Sequence, residues 1–91
     1  MDSKIAESSI EAAFNKGAKD RGLRSLKYGI NGWPDRVLLC KGGGVIWVEL
    51  KKPGEKPRAL QYRRHEQLRR EGHSVYVLST LEEVAEFWLN Y

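Results

Sequence analysis

The chain has 91 residues, enough for one compact domain with a modest core, and nothing in it marks a second boundary. No apolar run approaches the ~20 residues needed to cross a bilayer, Met1-Asp2-Ser3-Lys4 lacks the apolar core of a signal peptide, and Cys40, without a second cysteine, forms no internal disulfide. A soluble, non-secreted cytoplasmic protein is therefore expected. The net charge of +4 is unevenly spread: residues 51–70 hold eight of the sixteen Lys and Arg with only Glu55 and Glu66, and the last twenty residues hold three acids and no Lys or Arg. A basic block of this kind suits a polyanion held through its phosphates, although a solvated helix face would carry the same residues.

In chain order, Ile10, Ala13, Phe14, Gly17 and Ala18 follow helical spacing within a predicted helix from Ser3 to Arg21, which Gly22 stops. Glu7 shares the stripe of Ile10 and Phe14, and Glu11 lies at its edge one turn on. A carboxylate on the core side of a helix is unusual. Leu23 to Tyr28 alternates weakly and reads as a first strand. Gly29 to Trp33 is a loop, and Pro34 restrains the backbone just before Asp35. Trp33 either caps the core, the reading favoured here, or stacks on a base.

Val37–Cys40 and Val45–Leu50 are rich in β-branched and aliphatic residues, and Lys41-Gly42-Gly43-Gly44 between them predicts a β-hairpin. Alternation puts Ile46, Val48 and Leu50 on a core face and Val45, Trp47, Glu49 and Lys51 on the other. Folding the turn back brings Asp35 close to Glu49. Two carboxylates converging from neighbouring strands make a site of hard oxygen ligands that suits magnesium or manganese. Lys51 beside them would position or deprotonate a water, or offset charge building on a phosphate. Glu-x-Lys alone is also an ordinary same-face ion pair; Asp35 at hairpin distance upstream argues against that simpler reading.

After a charged loop, Pro57 opens a helix predicted over 57–71, in which Gln61, His65 and Leu68 share a face. Leu68 should point inward, which turns Gln61 toward the sheet; His65 reads as structural. Val75 to Ser79 is a final strand. Thr80 and Glu83 form a capping box for a last helix whose packing stripe is read as Leu81, Val84, Ala85, Trp88 and Leu89. Phe87 and Tyr91 fall off that stripe and are expected to offer apolar surface to a partner. The order is helix, three strands, helix, strand, helix: an α/β domain with a small mixed sheet flanked by helices. There are no internal repeats, zinc-type Cys-His spacings or phosphate-cradling glycine loops.

Asp35 with Glu49-Leu50-Lys51 resembles the Asp…Glu-x-Lys nuclease superfamily, PD-(D/E)xK. More narrowly, Gly32-Trp33-Pro34-Asp35-Arg36, Val48-Glu49-Leu50-Lys51, Pro53-Gly54 and Gln61, in that order, resemble the virus-type replication-repair nuclease (VRR-NUC) domain over Lys27 to Val77, and more loosely back to Glu7. The resemblance implies a restriction-endonuclease-like core and a Mg2+- or Mn2+-dependent DNA endonuclease, including phage proteins. Asp35, Glu49 and the Leu50 carbonyl would hold the metal, Lys51 would position or activate water, and Gln61 would support the site. One of Glu7 and Glu11 would complete it. Lys27 and Tyr28 match a lysine–aromatic pair of the family, and Lys27, Arg36, Lys52, Lys56, Arg58, Arg63 and Arg64 would meet DNA phosphates. Small stand-alone VRR-NUC proteins resemble junction resolvases, so a homodimer cutting branched DNA, four-way (Holliday) junctions above all, is expected. The helix after Pro53-Gly54 is richer in arginine than the motif requires, which bears on substrate grip. A non-catalytic basic nucleic-acid-binding module would explain the arginines equally well. It would not explain Asp35, Glu49 and Lys51 together, since carboxylates repel phosphate unless a cation intervenes. An enzyme acting on a small phosphate ester is a weaker third reading, because the sequence shows no compact ligand pocket.

Overall fold

A computed structural model of the chain describes residues 5–91; the start expected for the first helix, at Ser3, lies outside them. The elements are α1 (Glu7–Asp20), β1 (Arg24–Lys27), β2 (Arg36–Leu39), β3 (Val45–Leu50), α2 (Ala59–Arg70), β4 (Ser74–Leu78) and α3 (Leu81–Leu89). They build one mixed sheet in the order β1-β2-β3-β4. The first two pairings are antiparallel and β3-β4 is parallel. A parallel neighbour needs a crossover, and α2 is that crossover. The β2-β3 turn is closed by Cys40 N donating to Gly44 O at 2.8 Å. Gly42 and Gly43 sit at φ of 88° and 94°, left-handed backbone that side-chain-bearing residues avoid.

The two faces of the sheet have different fates. Leu38, Val48, Leu50 and Leu78 pack into a core with Ile10, Phe14 and Ala18 of α1 and Val84, Phe87 and Trp88 of α3. On the opposite face α2 lays Gln61, His65 and Leu68, all buried, over the strands. Glu49 alternates onto this second face, so a charged-type residue is sealed under a helix. Gly17 has a packing role: a Cβ there would run into the Trp88 indole.

Helix α3 is rotated from the expected orientation. Phe87, expected to face a partner, is 8 % exposed and buried in the core, whereas Leu89, expected to pack, is 83 % exposed. Leu81 and Ala85 also face outward, so the inward stripe is Val84, Phe87 and Trp88. Aromatic packing is the cause. The Phe87 ring lies 5.5 Å from Phe14 and 5.0 Å from Tyr76, and Trp88 lies 5.1 Å from Phe14. Burying two aromatic rings outweighs burying leucines at the ends of a nine-residue helix. The apolar surface left open is Leu81, Leu89 and Tyr91. The capping box at Thr80 forms, Glu83 N donating to Thr80 Oγ1 at 3.0 Å.

Candidate active site

Pairing of Arg36 with Val48 sets the register that brings Asp35, one residue before β2, opposite Glu49 on β3. Pro34 is fully buried and fixes the approach. Asp35 is anchored across the hairpin by Leu50 N, which donates to its Oδ2 at 2.8 Å. Glu49 is 0 % exposed. Its Oε2 accepts from Gln61 Nε2 at 3.0 Å and lies 3.5 Å from Lys51 Nζ. The amide of Gln61 has only one possible orientation, because its Oε1 accepts from Arg58 N at 2.8 Å and caps the start of α2. Helix α2 accordingly begins at Ala59 with Arg58 as its N-cap, two residues later than Pro57.

No family model matches the chain. Over 79 residues it is 39 % identical to "Putative nuclease p44" of Acyrthosiphon pisum secondary endosymbiont phage 1, an alignment covering 84 % of this chain and 85 % of that one. A solved structure described as "VRR_NUC domain" superposes on it with a TM-score of 0.81 and 26 % identity, covering 96 % of this chain and 99 % of the other. The chain belongs to the VRR-NUC family. Its order of elements and mixed four-stranded sheet match that fold neighbour.

In this VRR-NUC chain the electrostatics of the carboxylate pair are strained. Burial first, and then the neighbouring Asp35 carboxylate, push Glu49 up to about 8, against the opposing pull of Lys51. Even with the Lys51 ammonium 3.5 Å away, burial and Asp35 together favour the protonated Glu49 carboxyl when no metal ion is bound. Its Oε1 is buried without a hydrogen-bond partner among the described residues. An orphaned carboxyl oxygen, a like-charge neighbour and an all-oxygen donor set fit a hard divalent cation. Among the described residues no three His, Cys, Asp or Glu side chains gather closely enough to hold an ion. Asp35 and Glu49 are two side-chain groups that would offer oxygens to such an ion, with main-chain oxygen as the next candidate.

The two glutamates of α1 part company. Glu7, exposed on the first turn of α1, is raised from its ordinary value by desolvation first and then by the Asp35 charge, with Lys51 opposing. Glu11 accepts from Arg36 Nη2 at 2.7 Å and Nε at 3.2 Å, and Arg36 Nη1 also donates to Ser25 O at 3.1 Å. The sequence expectation of Arg36 as a phosphate contact thus meets a guanidinium already committed to Glu11 and the main chain. Lys27, Lys52, Lys56, Arg58 and Arg63 are exposed. Arg58 Nη2 donates to Asn31 Oδ1 at 3.3 Å. Arg64 is partly buried, with Cζ 4.9 Å over the Trp33 ring and Nη1 donating to Gln67 Oε1 at 2.6 Å.

His65, read from the sequence as structural, lies against Glu49. It is fully buried, with Nε2 3.4 Å from Glu49 Oε1 and neither ring nitrogen hydrogen-bonded. Burial, followed by the Arg69 charge, lowers its pKa and keeps the ring neutral. The signal was present: His65 follows Gln61 by one turn on the same face, and the two flank the two oxygens of Glu49. Trp33 packs at 5.5 Å on Trp47 and 5.7 Å on Tyr28, an aromatic cluster on the α2 side of the hairpin.

Proposed function

We propose that this domain is a Mg2+- or Mn2+-dependent endodeoxyribonuclease that hydrolyses phosphodiester bonds in branched DNA, four-way junctions foremost, and acts as a homodimer. The observation that carries the reading is the Asp35–Glu49 pair itself: a fully buried carboxyl held against another carboxylate and next to Lys51 is a costly arrangement that a cation relieves. Asp35, Glu49 and the Leu50 carbonyl are the groups that would hold the ion. Bound there, the metal would stabilise negative charge developing on the phosphate. Gln61, locked between the α2 cap and Glu49 Oε2, sets the angle of that carboxyl, and His65 backs its other oxygen. Lys51 stands where it can hold the attacking water or meet phosphate charge, and Glu7 faces the same space. The water oxygen would bond to phosphorus in line with the ester oxygen that leaves.

Lys27, Lys52, Lys56, Arg58, Arg63 and Arg64 would neutralise phosphates along the strand. A homodimer would supply two matched cuts by symmetry, and the exposed Leu81, Leu89 and Tyr91 supply apolar surface for it. The decisive experiment titrates Mg2+ and Mn2+ into the protein with four-way, flapped and linear DNA in competition, with sedimentation equilibrium alongside. Asp35→Asn is expected to abolish cleavage while retaining fold and DNA affinity. Cleavage by Asp35→Asn at the original rate, or a monomer cutting linear duplex as fast as the junction, would sink the corresponding half of the proposal.

A further inference from the structure

The loop between β1 and β2 is a rigid device beside the carboxylate pair that the proposed chemistry does not use. Tyr28 N donates to Asp35 O at 2.7 Å and closes its base, and Trp33 N donates to Ile30 O at 3.0 Å and closes a turn at its tip. Gly32 carries the turn's positive φ of 85°, while Asn31 has none, the pattern of a type II turn. From the other side α2 clamps the loop: Arg58 bonds Asn31, and Leu60 packs so closely on Gly32 that a Cβ there would approach Leu60 Cγ to 2.8 Å. Ile30, at the start of this clamped turn, is nevertheless 52 % exposed. Other large apolar side chains are exposed too, but Ile30 is the one among them that lines the cleft at the Asp35 site, held there on a hydrogen-bonded turn. Beside it lies a cleft of about 350 Å³, lined among others by Tyr28, Asn31, Trp33, Asp35, Arg58 and Gln61, and so continuous with the Asp35 site. That volume is at the small end of the ~300–1,000 Å³ typical of ligand sites, room for one nucleotide rather than for a duplex.

We propose that this loop is a nucleotide subsite: Ile30 enters the base stack of the DNA beside the scissile phosphate, and the cleft receives the nucleotide so displaced. The inference rests on the nuclease reading above and names what that site does to its substrate. Apolar wedges of isoleucine size are what proteins insert between base steps. The lining is chiefly polar: the hydrogen-bonded Asn31 and Arg58 side chains would meet a base's polar edge, while Tyr28 and Trp33, packed on Trp47 and under Arg64, offer only their remaining edges as aromatic surface. Because unstacking a paired base costs a few kcal/mol and costs least where pairing is already interrupted, the device favours branched over continuous DNA without base-specific contacts.

The test uses four-way and flapped DNA carrying 2-aminopurine at successive positions around the branch, bound in Ca2+ to prevent turnover, with cleavage in Mg2+ measured in parallel. The wild-type protein is expected to raise fluorescence roughly threefold or more at one position near the branch, as an extruded base does. Ile30→Ser should lose that rise and cut the junction about tenfold more slowly, with little loss of affinity, since the phosphate contacts that dominate binding remain. Ile30→Leu should restore both. No rise at any position, or an equal rise with Ile30→Ser, overturns the subsite. Cleavage without an Ile30-dependent rise removes the subsite and leaves the nuclease reading standing. An Ile30-dependent rise without cleavage overturns the nuclease reading, and with it the placing of the subsite beside a scissile phosphate.

Discussion

Replacing Glu49 with glutamine should make the metal-free protein more stable, by an amount that grows with pH. In the unfolded chain this carboxyl titrates near its ordinary 4.5, and in the folded protein near 8. Between those values the folded state binds a proton that the unfolded state has released, so stability falls as pH rises through the window and levels off above it. At ~1.4 kcal/mol for each pH unit the ceiling is about 5 kcal/mol. Water entry and small side-chain movements around a coupled pair bring the expected loss nearer 2 kcal/mol. The substituted amide would still accept from Gln61 Nε2, its NH2 group would take the place of Oε1 beside His65, and no second negative charge would stand against Asp35. Melting in EDTA should therefore show the two proteins close at pH 5 and Glu49→Gln ahead by roughly 10 °C at pH 9, using ~4–8 °C per kcal/mol for a domain of this size. Saturating Mn2+ should narrow the gap by stabilising only the wild type, and Glu49→Gln should not cut DNA. Parallel melting curves across the pH range, or a variant less stable at every pH, would refute the strain assigned to this pair.

Four further outcomes follow from the same geometry. Glu7→Gln should slow cleavage about 100-fold at an unchanged melting temperature, whereas Glu11→Gln should cost about 1–3 kcal/mol by weakening the partner of a largely buried Arg36 and leave turnover per folded molecule intact; the opposite pattern would exchange their roles. Lys51→Met is expected to lower kcat by about 10²–10³ with little effect on metal affinity, and a collapse of calorimetric Mn2+ binding with preserved kcat would show that the residue had been misassigned. His65→Leu should weaken Mn2+ about tenfold or more, as loss of a group behind a metal ligand does, with His65→Gln closer to wild type; equal affinity in all three would return His65 to a packing role. Arg63→Ala should reduce the log–log salt slope of DNA binding by about one, while Arg64→Ala should also lower the melting temperature because it removes the Trp33 stack; unchanged slopes would make this face merely solvated.

The sequence by itself determined the order of elements and the meeting of Asp35 with Glu49. Three glycines in a four-residue turn between two β-branched runs leave little freedom of register, so Asp35 had to meet the end of β3 where Glu49 and Lys51 stand. Helical spacing from Leu68 likewise turned Gln61 to the sheet, and Thr80 with Glu83 marked the start of α3. Tertiary structure alone separated the two glutamates of α1, which occupy nearly the same stripe: Arg36, on a distant strand, takes Glu11 and leaves Glu7 as the candidate for the site. It also decided the rotation of α3, where Val84-Phe87-Trp88 and Val84-Trp88 with the leucines are both valid stripes until Phe14 and Tyr76 supply aromatic partners for Phe87. The raised pKa of Glu49 and the closeness of His65 depend in turn on α2 closing over that face of the sheet. Periodicity fixes which residues share a face; what covers the face, and how dry and how charged that cover is, depends on residues far away in the chain.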